Sequence, residues 1–375
     1  MHASVSPPRT AAAVPPAFVV RWSAALARWL RRQALRLAPP QFGLLDVVSS
    51  RWLSDALGAL ARLGVPEALA HGPRTAADVA AELDLDAAAL GRLLRALARE
   101  ELLTESSDGR FGLTALTRPL CASDPASIRS MVLNLTADHN ARTWSALHLS
   151  IRSGERVWDD LHGTDMWTWM EQHPEAGDLF HGAMAELTRD VAPSVVSAYP
   201  FERHDSLVDL GGGTGTLLAA ILSANPPLRG VLVDRAGVVD QAPAVFAEWQ
   251  VGERADILAG DVFDAVPEGR GAYLAKHILH GYGDERAVQI LKLWRRAMRD
   301  DSRLLLVEVV VPDPGEPFMA MLDLQMLVSS FGGRERTHAE WTELLVAGGF
   351  ELRAVHPTAS PFMVIEAAPL AAAEG

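Results

Sequence analysis

The chain has 375 residues, 49% of them hydrophobic and 22% charged, which supplies a packed core, argues against wholesale disorder and points to two domains. Its formal net charge of -13 sets repulsion against phosphate backbones and anionic membranes, so neither nucleic acid nor membrane is an expected partner. A single cysteine, Cys121, excludes an intramolecular disulfide and a thiolate cluster and fits a reducing compartment, most simply the cytoplasm.

Residues 1–40 read as an N-terminal extension. Its stretch PPAFVVRWSAALARWLRRQALRLAPP is apolar over a helical length, but Arg21, Arg28, Arg31, Arg32 and Arg36 interrupt it, so it is neither a membrane span nor a signal core. The pattern predicts a basic amphipathic helix between two proline pairs: a packing or dimer-contact element first, a membrane-surface or targeting helix second.

Residues 41–120 are helical and rich in alanine and leucine. In TAADVAAELDLDAAALGRLLRALAREELLTESSDGRFGLT, a Thr-capped helix, a turn at Asp84 to Asp86 and a leucine-striped helix precede a polar hairpin around Ser107-Asp108-Gly109. That is the outline of a winged helix. Arg92, Arg95 and Arg99 form one face of its would-be recognition helix, yet Glu100 and Glu101 follow directly; a dimerisation or scaffold module therefore outranks a DNA-binding regulator.

Residues 121–200 read as a helical linker and pocket region. Trp144, Trp158, Trp167 and Trp169 alternate there with Met166, Met170 and Met184, residue types that serve equally as core or as the wall of a small-molecule site. From 201 to 375 short valine- and leucine-rich runs alternate with helical stretches, predicting an α/β domain with a mostly parallel sheet covered on both faces. The run SLVDL ends in Gly211-Gly212-Gly213-Thr214-Gly215 and a helix begins at once. Glycines at such a place let a ligand approach backbone N–H groups at a helix start. A dinucleotide fingerprint would need a third glycine where Thr216 stands; the spacing present is Asp209-x-Gly211-x-Gly213-x-Gly215. The next strand ends in Asp234, and a third runs into Gly260-Asp261-Val262-Phe263.

Taken in order, each at a strand's carboxyl edge, these elements resemble the cofactor motifs of the Rossmann-like S-adenosylmethionine-dependent methyltransferases. The resemblance implies S-adenosylmethionine as cofactor, with Asp209, Gly211 and Gly213 at the loop, Asp234 on the ribose hydroxyls, and Asp261, Val262 and Phe263 at the adenine. Further on, YLAKHILHGYGDERAVQIL is similar to the segment of plant and bacterial small-molecule O-methyltransferases in which a lysine precedes the catalytic histidine by four residues. Here those are Lys276, which the resemblance assigns to the cofactor, and His280; Glu308 and Glu335 stand where the family flanks the histidine with acids. From about residue 41 to the end, the resemblance implies a winged-helix dimerisation domain, a seven-stranded catalytic domain, a homodimer and a small-molecule substrate. Two positions depart from the pattern: Gly281-Tyr282 replaces Asp-Trp, and His181 replaces a common asparagine. Met166, Trp167, Met170, His181, Met184 and Tyr282 are the candidate substrate contacts.

The chemistry suits these residue types. Methyl transfer from a sulfonium is an in-line displacement, so an oxygen nucleophile must be aligned and lose its proton. A phenol with a pKa of ~10 needs a base at neutral pH, and an imidazole with a pKa of ~6.5 is free to accept the proton. One carboxylate can orient that imidazole; Glu308 is the first candidate and Glu335 the second. His277 and His280 lack the companions of a metal site, so no metal is expected and His277 reads as a strand-end residue. A cofactor-binding relative that hydroxylates, decarboxylates or cyclises instead of methylating remains the alternative.

Overall fold

The computed structural model describes residues 15–264, 266–311 and 317–371. Two compact units emerge: one holds Ala25–Arg142 and Met170–Leu187, the other Thr143–Trp169 and the chain from Thr188 onward, with the residues up to Ala24. The stretch 121–200, read from sequence as one region, is thus shared between them.

In the first unit, Thr75 Oγ1 accepts the Asp78 N–H at 3.2 Å to start the helix Ala76–Leu83, and Asp86 accepts the Ala89 N–H at 2.7 Å to start Ala87–Arg99. Each cap satisfies a donor that the helix itself leaves unpaired. Between them Asp84 takes a φ of 54°, ending the first helix in the left-handed region. Leu90, Leu94 and Leu97, at helical spacing, join Leu60, Val79 and Phe111 in the core, while Arg92, Arg95 and Arg99 face solvent. Strands β1 (Arg74–Thr75), β2 (Leu103–Glu105) and β3 (Arg110–Leu113) form an antiparallel sheet in the order β1-β3-β2. Helix, turn, helix and hairpin make the winged helix outlined by the sequence. Ahead of it, the helices Ala17–Leu37 and Pro40–Arg62 leave Phe18, Trp22, Trp29, Phe42, Leu45 and Trp52 exposed. No described helix is long and apolar enough to cross a membrane.

The second unit is built on β4 (Ser206–Leu210), β5 (Arg229–Asp234), β6 (Ala255–Ala259), β7 (Ala272–Lys276) and β8 (Arg303–Glu308), which run parallel. Two short strands, β9 (Val310–Val311) and β10 (Arg336–Thr337), pair with each other. Strands β11 (Phe350–Pro357) and β12 (Met363–Pro369) complete a seven-stranded sheet in the order β11-β12-β8-β7-β4-β5-β6, with β12 antiparallel to both neighbours. Strands covered on both faces read as near-continuous apolar runs; β8 does, and β4 is interrupted only by Asp209, the two burying Val208, Leu210, Leu304 and Leu306 beside Tyr273, Trp294, Trp341 and Ile365. The two tryptophans spend their indole N–H groups on the Val262 and Val309 carbonyls at 3.0 and 2.9 Å.

Coverage on both faces fails at one edge. Ile257 and Leu258 of β6 are each 39% exposed, because β6 is the last strand of the sheet and the described residues between it and β7 form turns rather than a covering helix. Strand order reverses beside β4, with β5 on one side and β7 on the other, the place where open α/β sheets take their ligands at the carboxyl ends.

Candidate active site

The loop after β4 takes its shape from its glycines. Gly211, Gly213 and Gly215 have φ of 70°, 63° and 79°, a region costly for other residues. A side chain at Gly215 would collide with Phe246 at 2.7 Å, whereas nothing lies within 4 Å of where a Gly213 side chain would begin. Gly213 is therefore open on the side a ligand would approach. Its N–H donates to Asp234 Oδ2 at 2.8 Å, tying the loop to the end of β5.

Beneath the loop lies Asp209, 1% exposed, with neither carboxyl oxygen hydrogen-bonded. Burial, and then the nearby Asp234, pushes its pKa up to about 7. Lys276, at the end of β7, is pushed down to about 8 by burial, with Glu308 and Asp209 opposing. Asp234, Lys276 and Glu308 thus close three parallel strands and Asp209 is the penultimate residue of a fourth, all at the carboxyl edge. On the far side, Asp261 accepts the Phe263 N–H at 2.9 Å, and Arg286 lies 4.5 Å over the Phe263 ring.

Past Lys276 the chain turns sharply. His277 adopts a φ of 55°, sets its ring 4.2 Å from Phe362 and 5.1 Å from His280, and leaves Nε2 without a hydrogen bond. Burial, then Lys276 and His280, holds its pKa well below the ordinary histidine value. The short 3-10 turn Leu279–Gly281 carries His280, which is buried, and its Nδ1 lies 2.8 Å from Glu335 Oε1. A carboxylate only accepts, so Nδ1 carries the hydrogen and Nε2 keeps the lone pair. Burial alone would depress the His280 pKa; the charge of Glu308 and the hydrogen bond and charge of Glu335 outweigh it, and the pKa is raised.

The ranking of the two acids is reversed by this geometry. Glu308, the first candidate for orienting the imidazole, instead accepts the backbone N–H groups of Ile278 and Leu279, both at 3.1 Å, and shapes the turn. Its carboxyl is pushed up to about 7 by burial, with His280 opposing. Glu335 reaches the ring because β9–β10 pairing draws residues 335–337 back beside the end of β8. Sequence reasoning missed Gly333 altogether: a side chain there would meet the His280 carbonyl oxygen at 2.2 Å, so only glycine lets the strap pass behind His280.

Of the candidate substrate contacts, Tyr282 sits among aromatic rings, 5.5 Å from Phe263 and 5.7 Å from Phe331. Burial, then Asp261, raises its hydroxyl pKa, and its side chain is hydrogen-bonded with Trp167. Arg235 lies 5.1 Å over the Trp167 ring, so Tyr282 and Trp167 stand with residues at the cofactor edge. Met166 is half-buried in the same unit; Met170, His181 and Met184 belong to the other. Among the described residues, no group of three His, Cys, Asp or Glu can hold a metal ion.

A parallel sheet whose order reverses beside an open glycine loop, with an aspartate closing the next strand, defines a Rossmann-like methyltransferase domain. Its residues fit S-adenosylmethionine: Asp234 offers a carboxylate for a diol, Gly213 leaves room, and Asp209 is a buried acid beneath the loop. The chain belongs to the O-methyltransferase family and takes S-adenosylmethionine as methyl donor: the O-methyltransferase domain matches residues 144–351 and the O-methyltransferase dimerisation domain residues 45–123. It is 36% identical to the phenazine O-methyltransferase PhzM of Lysobacter antibioticus, over 87% of this chain and 96% of that one. It is 37% identical to the O-demethylpuromycin-O-methyltransferase of Streptomyces alboniger, over 88% and 90%. The solved structure of the mitomycin 7-O-methyltransferase MmcR superposes with a TM-score of 0.83 at 34% identity, covering 90% of this chain and 99% of that one.

Proposed function

We propose that the protein methylates a hydroxyl of an aromatic or polyketide-like small molecule, without a metal, and that His280 is the general base. The observation that carries this reading is the buried His280 Nδ1 to Glu335 Oε1 contact of 2.8 Å, four residues past Lys276 at the cofactor edge. S-adenosylmethionine supplies an electrophilic methyl group on its sulfonium. Asp209, Gly211, Gly213, Asp234, Asp261, Val262, Phe263 and Lys276 hold it at the strand ends. His280 Nε2 takes the proton of the acceptor hydroxyl, Glu335 keeps the ring in the Nδ1–H tautomer and stabilises its cation, and Glu308 holds the turn. Tyr282 and Trp167 border the cofactor edge, in the same unit as Met166. The working form is a homodimer, supported by the matched dimerisation domain, and the compartment a reducing one.

The relatives' names support the acceptor class: phenazine, puromycin and mitomycin enzymes all modify ring-bearing natural products. The test is incubation of the purified protein with S-adenosylmethionine, a panel of phenolic and polyketide acceptors and EDTA, with product masses read. A gain of one methyl group, undiminished by EDTA, is expected. Tight cofactor binding with a product of any other mass would overturn the reading in favour of a non-methylating relative.

A further inference from the structure

Arg336 follows Glu335 directly, is fully buried, and its guanidinium is spent on the turn that carries His280. Nη1 donates to the Leu279 carbonyl at 3.0 Å and Nη2 to the Tyr282 carbonyl at 2.8 Å, one on each side of His280-Gly281. Nε and Nη2 also donate to Asp284 Oδ1, at 3.0 and 2.8 Å, while Arg334 donates to the other Asp284 oxygen at 2.9 Å. The Trp341 ring, 5.3 Å from the guanidinium carbon, lies against its face.

Five donors in a rigid plane can bridge two carbonyls and a carboxylate at once; an ammonium on a flexible stem cannot hold that geometry. The two carbonyls bracket the imidazole-bearing residue, so their separation sets how the 3-10 turn presents the ring to Glu335. We propose that Arg336 is a positioning residue for His280, fixing the turn through its backbone while the neighbouring Glu335 fixes the ring through Nδ1. Asp284 holds the guanidinium in register from the outer side. The proposal rests on the reading of His280 as base for its catalytic consequence, but not for its geometry.

An arginine that only stapled the fold would leave His280's own behaviour untouched. The experiment is NMR titration of the His280 imidazole in the full-length protein, wild type beside Arg336→Lys, Arg336→Met and Asp284→Asn, with S-adenosylhomocysteine binding as a control. Loss of the fork loosens the Glu335 contact, so His280's pKa falls in both arginine variants while S-adenosylhomocysteine affinity stays within about threefold. On an acceptor that the wild type methylates, kcat falls roughly 10- to 100-fold in both, the scale of a misplaced catalytic group. An unchanged or raised His280 pKa in Arg336→Met, the signature of losing only a nearby positive charge, overturns the proposal. So does Arg336→Lys titrating like wild type, since lysine keeps the charge and loses the fork. If Arg336→Met fails to fold, Arg336→Lys decides: a downward shift supports the proposal and none overturns it, while Asp284→Asn, which removes a negative charge of its own, calibrates the purely electrostatic part of the shift. Full turnover in His280→Ala would remove the base reading while leaving the titration comparison intact.

Discussion

Burial draws the His280 imidazole toward neutrality and its acids draw it toward the cation; the acids prevail, so its pKa lies above the ordinary histidine value. As the proposed base, His280 works only when unprotonated, so turnover is expected to rise with pH through that raised value. Glu335→Gln keeps the shape but removes the charge, and the rising limb of kcat against pH moves to lower pH while the plateau drops at least ~10-fold; an unmoved limb would contradict Glu335 as the orienting acid. Asp209 carries the opposite lesson about stability. Its folded pKa of about 7 lies above the unfolded value near 3.8, so the native state holds the proton longer and stability declines as pH rises through that window. The melting temperature of Asp209→Asn relative to wild type therefore climbs between pH 4 and pH 8, and a constant difference would show that the buried carboxyl is not strained by its charge. The sequence made both residues legible through local spacing. The order of the two acids was not legible, because Glu335 reaches His280 across 55 residues of chain.

Two glycines separate what an element does for the ligand from what it does for His280. Gly213 has a positive φ but open space, so Gly213→Ala folds with about 1 kcal/mol of backbone strain and binds S-adenosylhomocysteine at least ~10-fold more weakly. Gly333 sits against the His280 carbonyl, so Gly333→Ala shifts the turn and lowers kcat while leaving S-adenosylhomocysteine binding within about threefold. Calorimetry and turnover on the two variants check this; equal loss of binding in both would mean that the loop and the strap do not divide the work. The glycine loop could be read from sequence because strand, loop and helix are consecutive. The strap could not, since β9 and β10 are two residues long each and carry no periodicity. Strand β6 misled for a different reason: an edge strand and a central strand have the same apolar run, and only the connection to β7 decides which faces are covered.

At the scale of the molecule, the acidic balance and the exposed apolar helices pull apart. A chain of net charge -13 should stay apart from nucleic acid, yet Phe42, Leu45 and Trp52 stand exposed on Pro40–Arg62, within or beside the matched dimerisation domain. Large exposed apolar patches mark partner surfaces. Sedimentation at micromolar concentration is expected to show a dimer for wild type and a monomer for Leu45→Glu/Trp52→Glu, and a monomeric wild type would remove the dimer from the account. The fold class was legible because it rests on summed patterns over many residues. The role of the basic helix Ala17–Leu37 was not, since an amphipathic stripe ranks a packing or dimer contact ahead of a lipid surface without settling between them.

The measurement that bears most directly on the central claim is methyl transfer from S-adenosylmethionine to an acceptor from the phenolic panel, wild type beside His280→Ala. With His280 as general base, the variant binds the cofactor normally and loses at least ~100-fold in kcat. A variant that methylates at the wild-type rate would contradict that role and leave the buried His280–Glu335 pair a structural contact.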